Sequence, residues 1–160
     1  MKKLCILSLL LFAGNLYAQS GLFAGLGIEA NANTREGAAL GGGLTLGFDI
    51  NENFAAGAKV TFSSNIDTVS TLEPAAFFRY YLSQILPLPL GNLFAQAEIG
   101  VSLFFEDDAS YPSFYGGLAA GWRFNVWNGI YLEPLIRFGY PCIWGIGLSF
   151  GYRFDTQSDN

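Results

Sequence analysis

The chain has 160 residues, a formal net charge of −5, 51% hydrophobic residues and only 13% charged ones. That is about half the roughly 25% charge of an ordinary globular domain, yet no run of about 20 apolar residues is present to cross a bilayer as a helix. Histidine is absent, which excludes Ser-His-Asp chemistry and the usual zinc ligand, and no basic patch suggests nucleic acid.

Residues 1–18 read as a cleaved secretory signal: Lys2 and Lys3, then the apolar Leu4 to Ala13, then Leu16-Tyr17-Ala18 before a cut ahead of Gln19. Cys5 lies in this leader. The remaining 19–160 is read as one barrel domain with a short C-terminal tail. It retains Cys142 alone, so no internal disulfide is expected.

Eight alternating segments follow the leader, and successive strand side chains point to opposite faces. The first, Leu22 to Asn31, sets Leu22, Ala24, Leu26 and Ile28 against Gly25, Gly27 and Glu29; a polar loop runs to Gly37. The second, Ala38 to Ile50, sets Leu40, Leu44, Leu46, Phe48 and Ile50 against glycines, Thr45 and Asp49. After the tight turn Asn51-Glu52-Asn53 comes the third, Phe54 to Ser63, with Val60 and Phe62 opposite Lys59 and Thr61. Ser64 to Ser70 is a second polar loop.

The fourth segment, Thr71 to Leu82, places Glu73, Phe77, Arg79 and Tyr81 on one face. Ser83 to Asn92, with its Pro-Leu-Pro-Leu, reads as an irregular turn at the bilayer interface. The fifth, Leu93 to Phe105, sets Gln96, Glu98, Gly100 and Ser102 against aliphatics, and an acidic loop, Glu106 to Ser113, is expected after it. The sixth, Phe114 to Val126, carries Arg123 opposite Leu118, Ala120, Trp122 and Phe124. The turn Trp127-Asn128-Gly129 leads to the seventh, Ile130 to Tyr140, with Glu133 and Arg137. Pro141-Cys142 reads as a surface turn before the closing segment, Ile143 to Phe154, whose even positions are large and apolar and whose odd positions are small or Arg153.

Charges keep to one parity throughout. Slipping any strand by one residue would exchange its faces and move Glu29, Lys59, Glu73, Arg79, Glu98, Arg123, Glu133, Arg137 or Arg153 into lipid, where a midplane Arg or Lys costs roughly 2–4 kcal/mol. The expected fold is therefore all-β, an eight-stranded antiparallel up-and-down transmembrane β-barrel with both termini periplasmic. An eight-stranded barrel is just wide enough for side chains to fill, and buried charges must be paired. The nine charges, with Asp49, are expected to form a lumen ion-pair network. A three-residue loop at Trp127–Gly129 would pair Val126 with Ile130 and set Arg123 directly opposite Glu133. Trp122, Trp127, Tyr140, Trp144, Tyr152 and Phe154 are expected at the membrane interfaces.

Two further features carry weaker readings. Leu72-Glu73-Pro74 and Leu132-Glu133-Pro134 repeat a triplet, read as coincidence or a shared bulge ahead of internal duplication. Glu106-Asp107-Asp108 could hold Ca²⁺, but a solvated acidic loop is favoured, and no metal or cofactor is expected.

With eight segments in phase and Tyr152 and Phe154 at the end of the last, the region from Leu22 to Phe154 resembles the small eight-stranded outer-membrane barrels: OmpX, the opacity proteins, OmpW and the membrane domain of OmpA. It departs from them in the six residues Asp155 to Asn160 after Phe154 and in the spacing of Gly147 and Gly151; no peptidoglycan-binding domain is expected to follow. The resemblance implies a bacterial outer-membrane location, contact with lipid and a lipopolysaccharide-type outer leaflet, recognition of the last strand by barrel-assembly machinery, and an extracellular partner at the loops. It implies a structural or surface-interaction role rather than an enzyme. A narrow channel or lateral path for small or hydrophobic solutes, and a soluble lipocalin-like carrier, are the alternatives.

Overall fold

A computed structural model describes residues 21–34, 37–65, 69–82, 91–106 and 109–154. Eight strands form one closed barrel in sequence order: β1 (Leu22–Asn33), β2 (Gly37–Asp49), β3 (Phe54–Ser64), β4 (Ser70–Tyr81), β5 (Gly91–Glu106), β6 (Ala109–Trp127), β7 (Ile130–Tyr140) and β8 (Cys142–Phe154). Every neighbouring pair is antiparallel, and β1 closes on β8 with Leu22 opposite Phe154 and Glu29 opposite Gly147. Closure leaves no sheet edge to satisfy.

The period-2 pattern sorts the side chains. Leu26, Ile28, Leu44, Leu118, Ile136 and Ile146 stand exposed on the outside, Ile28 at 71% and Leu118 at 67%. Glu73, Arg79, Arg123, Glu133 and Arg137 stand inside, each no more than 3% exposed. A soluble ligand carrier needs the reverse arrangement, with apolar side chains lining the interior.

Turn chemistry sets the register. At the β2–β3 turn the Asn51 Oδ1 accepts the backbone N–H of both Asn53 and Phe54 at 2.9 Å, an Asx turn. At the β6–β7 turn Asn128 and Gly129 both have positive φ, 38° and 82°, as a two-residue hairpin turn requires. The expected three-residue loop is thus corrected: Trp127, not Val126, pairs with Ile130, and a bulge follows before Asn125 pairs with Tyr131. The bulge consumes one residue and returns the register, so Phe124 still faces Leu132.

Two other expectations are corrected. The stretch read as an acidic loop is mostly hairpin: Phe104 pairs with Tyr111, Phe105 with Ser110 and Glu106 with Ala109. Aromatic residues favour strands and stabilise each other as cross-strand pairs, and they outweigh the local charge. Cys142 does not lie in a surface turn; it opens β8 and is 2% exposed beside Ala75 and Tyr115. The leader, Asp107-Asp108 of the candidate Ca²⁺ loop, residues 83–90 of the apolar connection and the tail after Phe154 lie outside the described residues.

Both Leu-Glu-Pro triplets interrupt a seam. The β4–β5 ladder resumes at Ala75 opposite Gly100 after Leu72 opposite Leu103, skipping Glu73 and Pro74. The β6–β7 ladder skips Glu133 and Pro134 between Leu132 and Leu135. Proline has no N–H to donate.

Candidate functional site: a charged lumen

The inward charges arrange in two layers joined by one glutamine. Nearer the turn end, Arg79 on β4 makes a forked contact with Glu133 on β7, Nη1 to Oε1 at 2.7 Å and Nη2 to Oε2 at 3.3 Å. Arg123 donates its Nε to the same carboxylate. The two guanidiniums are held by rings: Arg79 lies 3.8 Å from the Phe94 centroid, and Arg123 lies 4.2 Å from both Phe23 and Tyr131. Phe23, Phe77, Tyr81, Phe94 and Tyr131 form one buried cluster with Ala55. A planar, weakly hydrated guanidinium suits such stacking.

Nearer the loop end, Arg137 on β7 gathers two acids. Its Nη2 meets Glu29 at 2.6 Å and Glu73 at 2.8 Å, and its Nη1 donates to the Tyr115 hydroxyl at 2.9 Å. Tyr115 donates to Glu98, which also receives Lys59 at 2.7 Å. The Ser102 hydroxyl donates to Glu73 at 2.9 Å. Gln96 links the layers, accepting from Arg79 Nε at 2.8 Å and donating to Glu98 at 2.6 Å. The chain of contacts from Glu73 to Arg123 is therefore continuous.

Eight of the nine sequence-predicted charges meet in this network. Arg153 stands apart at the turn-end mouth, its Nε 3.2 Å from Asp49. The sequence reading missed Phe23, Phe94, Tyr115 and Tyr131 as lumen residues. Their parity placed them there, in step with Glu29, Gln96, Arg123 and Glu133, but aromatic rings in a greasy chain read as lipid-facing.

The network is filled from one side. β1, β2 and β8 turn glycines inward, and aromatic side chains of neighbouring strands lean over their backbones. A Cβ at Gly151 would come within 2.2 Å of Tyr131 Cζ and 2.4 Å of the Ala24 carbonyl oxygen. At Gly47 it would meet the tips of Phe23 and Phe77 at 2.4 and 2.9 Å. A cavity of about 40 Å³ remains between the layers, lined by Glu29, Lys59, Gln96 and the hydroxyl residues Thr45, Thr61 and Ser149. That is room for a few waters, since one needs roughly 10–15 Å³.

The six predicted interface aromatics fall at the two ends of the outer face. Trp127, Tyr152 and Phe154 are exposed at the turn end, with Trp122 half-buried and stacked on Phe124 at 4.6 Å. Tyr140 and Trp144 are exposed at the loop end.

No protein-family model matches the chain, and no curated protein matches it. Among solved structures, Neisserial surface protein A superposes at a TM-score of 0.61 with 14% identity, over 84% of this chain and 96% of that one. The N-terminal β-barrel domain of Pseudomonas aeruginosa OprF superposes at 0.59 with 13% identity, over 84% and 97%. The fold is that of the small eight-stranded outer-membrane barrels. At such identities the likeness extends to this barrel's strand number, closure and size.

Proposed function

We propose that the protein is an integral barrel of a bacterial outer membrane, with a structural or surface-interaction role and a lumen plugged by its own side chains. One observation carries the reading: a closed wall exposes aliphatic and aromatic side chains outside while pairing its interior charges with one another. In water the outer face would be a large unfavourable apolar surface; in hydrocarbon it is the expected one. The leader read in residues 1–18 would export the chain, assembly machinery would read β8, and the aromatic groups at each end would sit at headgroup level. Lipid and a lipopolysaccharide-type leaflet would surround the wall, leaving the loop-end rim to meet an extracellular partner. No catalytic role is proposed.

The test is planar-bilayer conductance of the mature protein refolded from denaturant into detergent, with heat-modifiable gel mobility as the folding control. Folded protein without steady conductance supports the plug. Discrete channels would replace it with transport through the lumen, and protein that stays soluble and folded without detergent would overturn the membrane assignment.

A further inference from the structure

A second cavity, of about 230 Å³, lies at the turn end beneath the aromatic layer. It far exceeds the roughly 10–15 Å³ that one water needs, and it reaches the surface at Asn51, Glu52 and Asn125, all exposed. Two buried groups of opposite charge line it, each with an unsatisfied atom. Arg123, 2% exposed, donates its Nε to Glu133, but its Nη2 has no hydrogen-bond partner among the described residues. Asp49, 7% exposed, faces Arg153 through Oδ2 at 3.2 Å and has the Tyr81 hydroxyl beside it, but neither of its carboxylate oxygens is in a well-formed hydrogen bond among the described residues. A buried donor or acceptor left unsatisfied is costly, so each favours a ligand that supplies the missing contact. Arg123 is held against the Phe23 and Tyr131 rings, each 4.2 Å from its guanidinium.

The charges lining the cavity balance, with Asp49 and Glu52 against Arg123 and Arg153. A simple anion would meet the two carboxylates and a simple cation the two guanidiniums. A molecule carrying both signs satisfies both. We infer that this cavity binds a small zwitterion of the free amino acid class, its carboxylate on Arg123 Nη2 and its ammonium on Asp49 Oδ1. Asn92 and Asn125 add neutral donors and acceptors on the wall.

The experiment uses isotope-labelled mature protein refolded in detergent micelles and titrated with glycine, following the Arg123 Nε–H signal and the Asp49 and Asn125 amides. Saturable shifts with glycine are expected, with acetate and methylammonium at equal ionic strength each binding at least tenfold more weakly. Asp49→Asn should weaken glycine about tenfold, equivalent to ~1.4 kcal/mol, without weakening acetate; heat-modifiable mobility confirms that the variant folds. Absence of a saturable glycine shift overturns the inference and leaves a water-filled mouth. Acetate binding as tightly as glycine overturns it in favour of a plain anion site, and so does a folded Asp49→Asn variant of unchanged glycine affinity. Should that variant not fold, the comparison of glycine with acetate on the unaltered protein decides alone.

Discussion

Arg79 and Glu133 lie 54 residues apart in sequence and meet inside the barrel at 2.7 Å. The tie is reciprocated, since Arg137 on the strand of Glu133 reaches back to Glu73 on the strand of Arg79 at 2.8 Å. β4 and β7 run antiparallel to one another, so each contributes an acid near its start and a base near its end. The paired Leu-Glu-Pro triplets thus hold equivalent places: each supplies the acid of one cross-lumen tie.

Removing the charge of Glu133 should be costly. Glu133→Gln leaves Arg79 and Arg123 facing a neutral acceptor in a buried site, and breaking a buried pair typically costs about 3–5 kcal/mol. Urea unfolding of the vesicle-inserted protein should show a loss of that order. Asp49→Asn at the mouth should cost less, because its partner Arg153 is partly solvated.

The inward glycines should separate into two kinds. Gly47→Ala introduces a Cβ whose three nearest neighbours are all ring atoms of Phe23 and Phe77. It should destabilise by about 1–3 kcal/mol, and shortening the nearer ring with Phe23→Leu should recover part of that. Gly151→Ala also meets the Ala24 carbonyl oxygen, which belongs to the backbone. No lumen substitution should rescue it. Refolding yield and unfolding midpoint of Gly47→Ala, Gly47→Ala with Phe23→Leu, and Gly151→Ala decide the point.

Charge on the outer wall should be penalised by depth. Leu118→Arg, at the middle of β6, should cost about 2–4 kcal/mol in lipid, and Val126→Arg near the turn end about 0–1. Both positions are similarly exposed, 67% and 64%. Equal penalties measured by vesicle unfolding would place the hydrocarbon belt elsewhere or deny it.

Cys142 should resist thiol reagents. It is free and 2% exposed, so maleimide labelling of the folded protein should be slow and become fast in urea. Rapid labelling of heat-modifiable, folded protein would contradict its placement under Tyr115.

Most of the barrel was legible because parity is a long-range signal. Each strand repeats it five or six times, and an error of one residue exposes a charge to lipid. The pairing of Arg123 with Glu133 came through despite a misread turn, because the bulge beyond Trp127 cancelled the shorter loop. Local readings were weaker. Glu106 and its neighbours looked like a loop by charge, while Phe104 and Tyr111 were already extending the hairpin. Cys142, next to a proline, looked like a surface turn because sequence does not show that Ala75 and Tyr115 close over it. The ring seats for Arg79 and Arg123 were hidden for another reason: hydropathy cannot distinguish an aromatic facing lipid from one stacked on a guanidinium.

The interrupted seams at Pro74 and Pro134 have a mechanical consequence. They border the β5–β6 hairpin on both sides, while the β5–β6 ladder itself is unbroken from Gly91–Phe124 to Glu106–Ala109. The hairpin is thus a stiff panel hinged along two weakened lines, and the Arg79–Glu133 and Arg137–Glu73 ties span behind it from frame to frame like braces. Strain on the wall would be taken up along those two lines first, with the braces, rather than the local hydrogen bonds, keeping the panel seated.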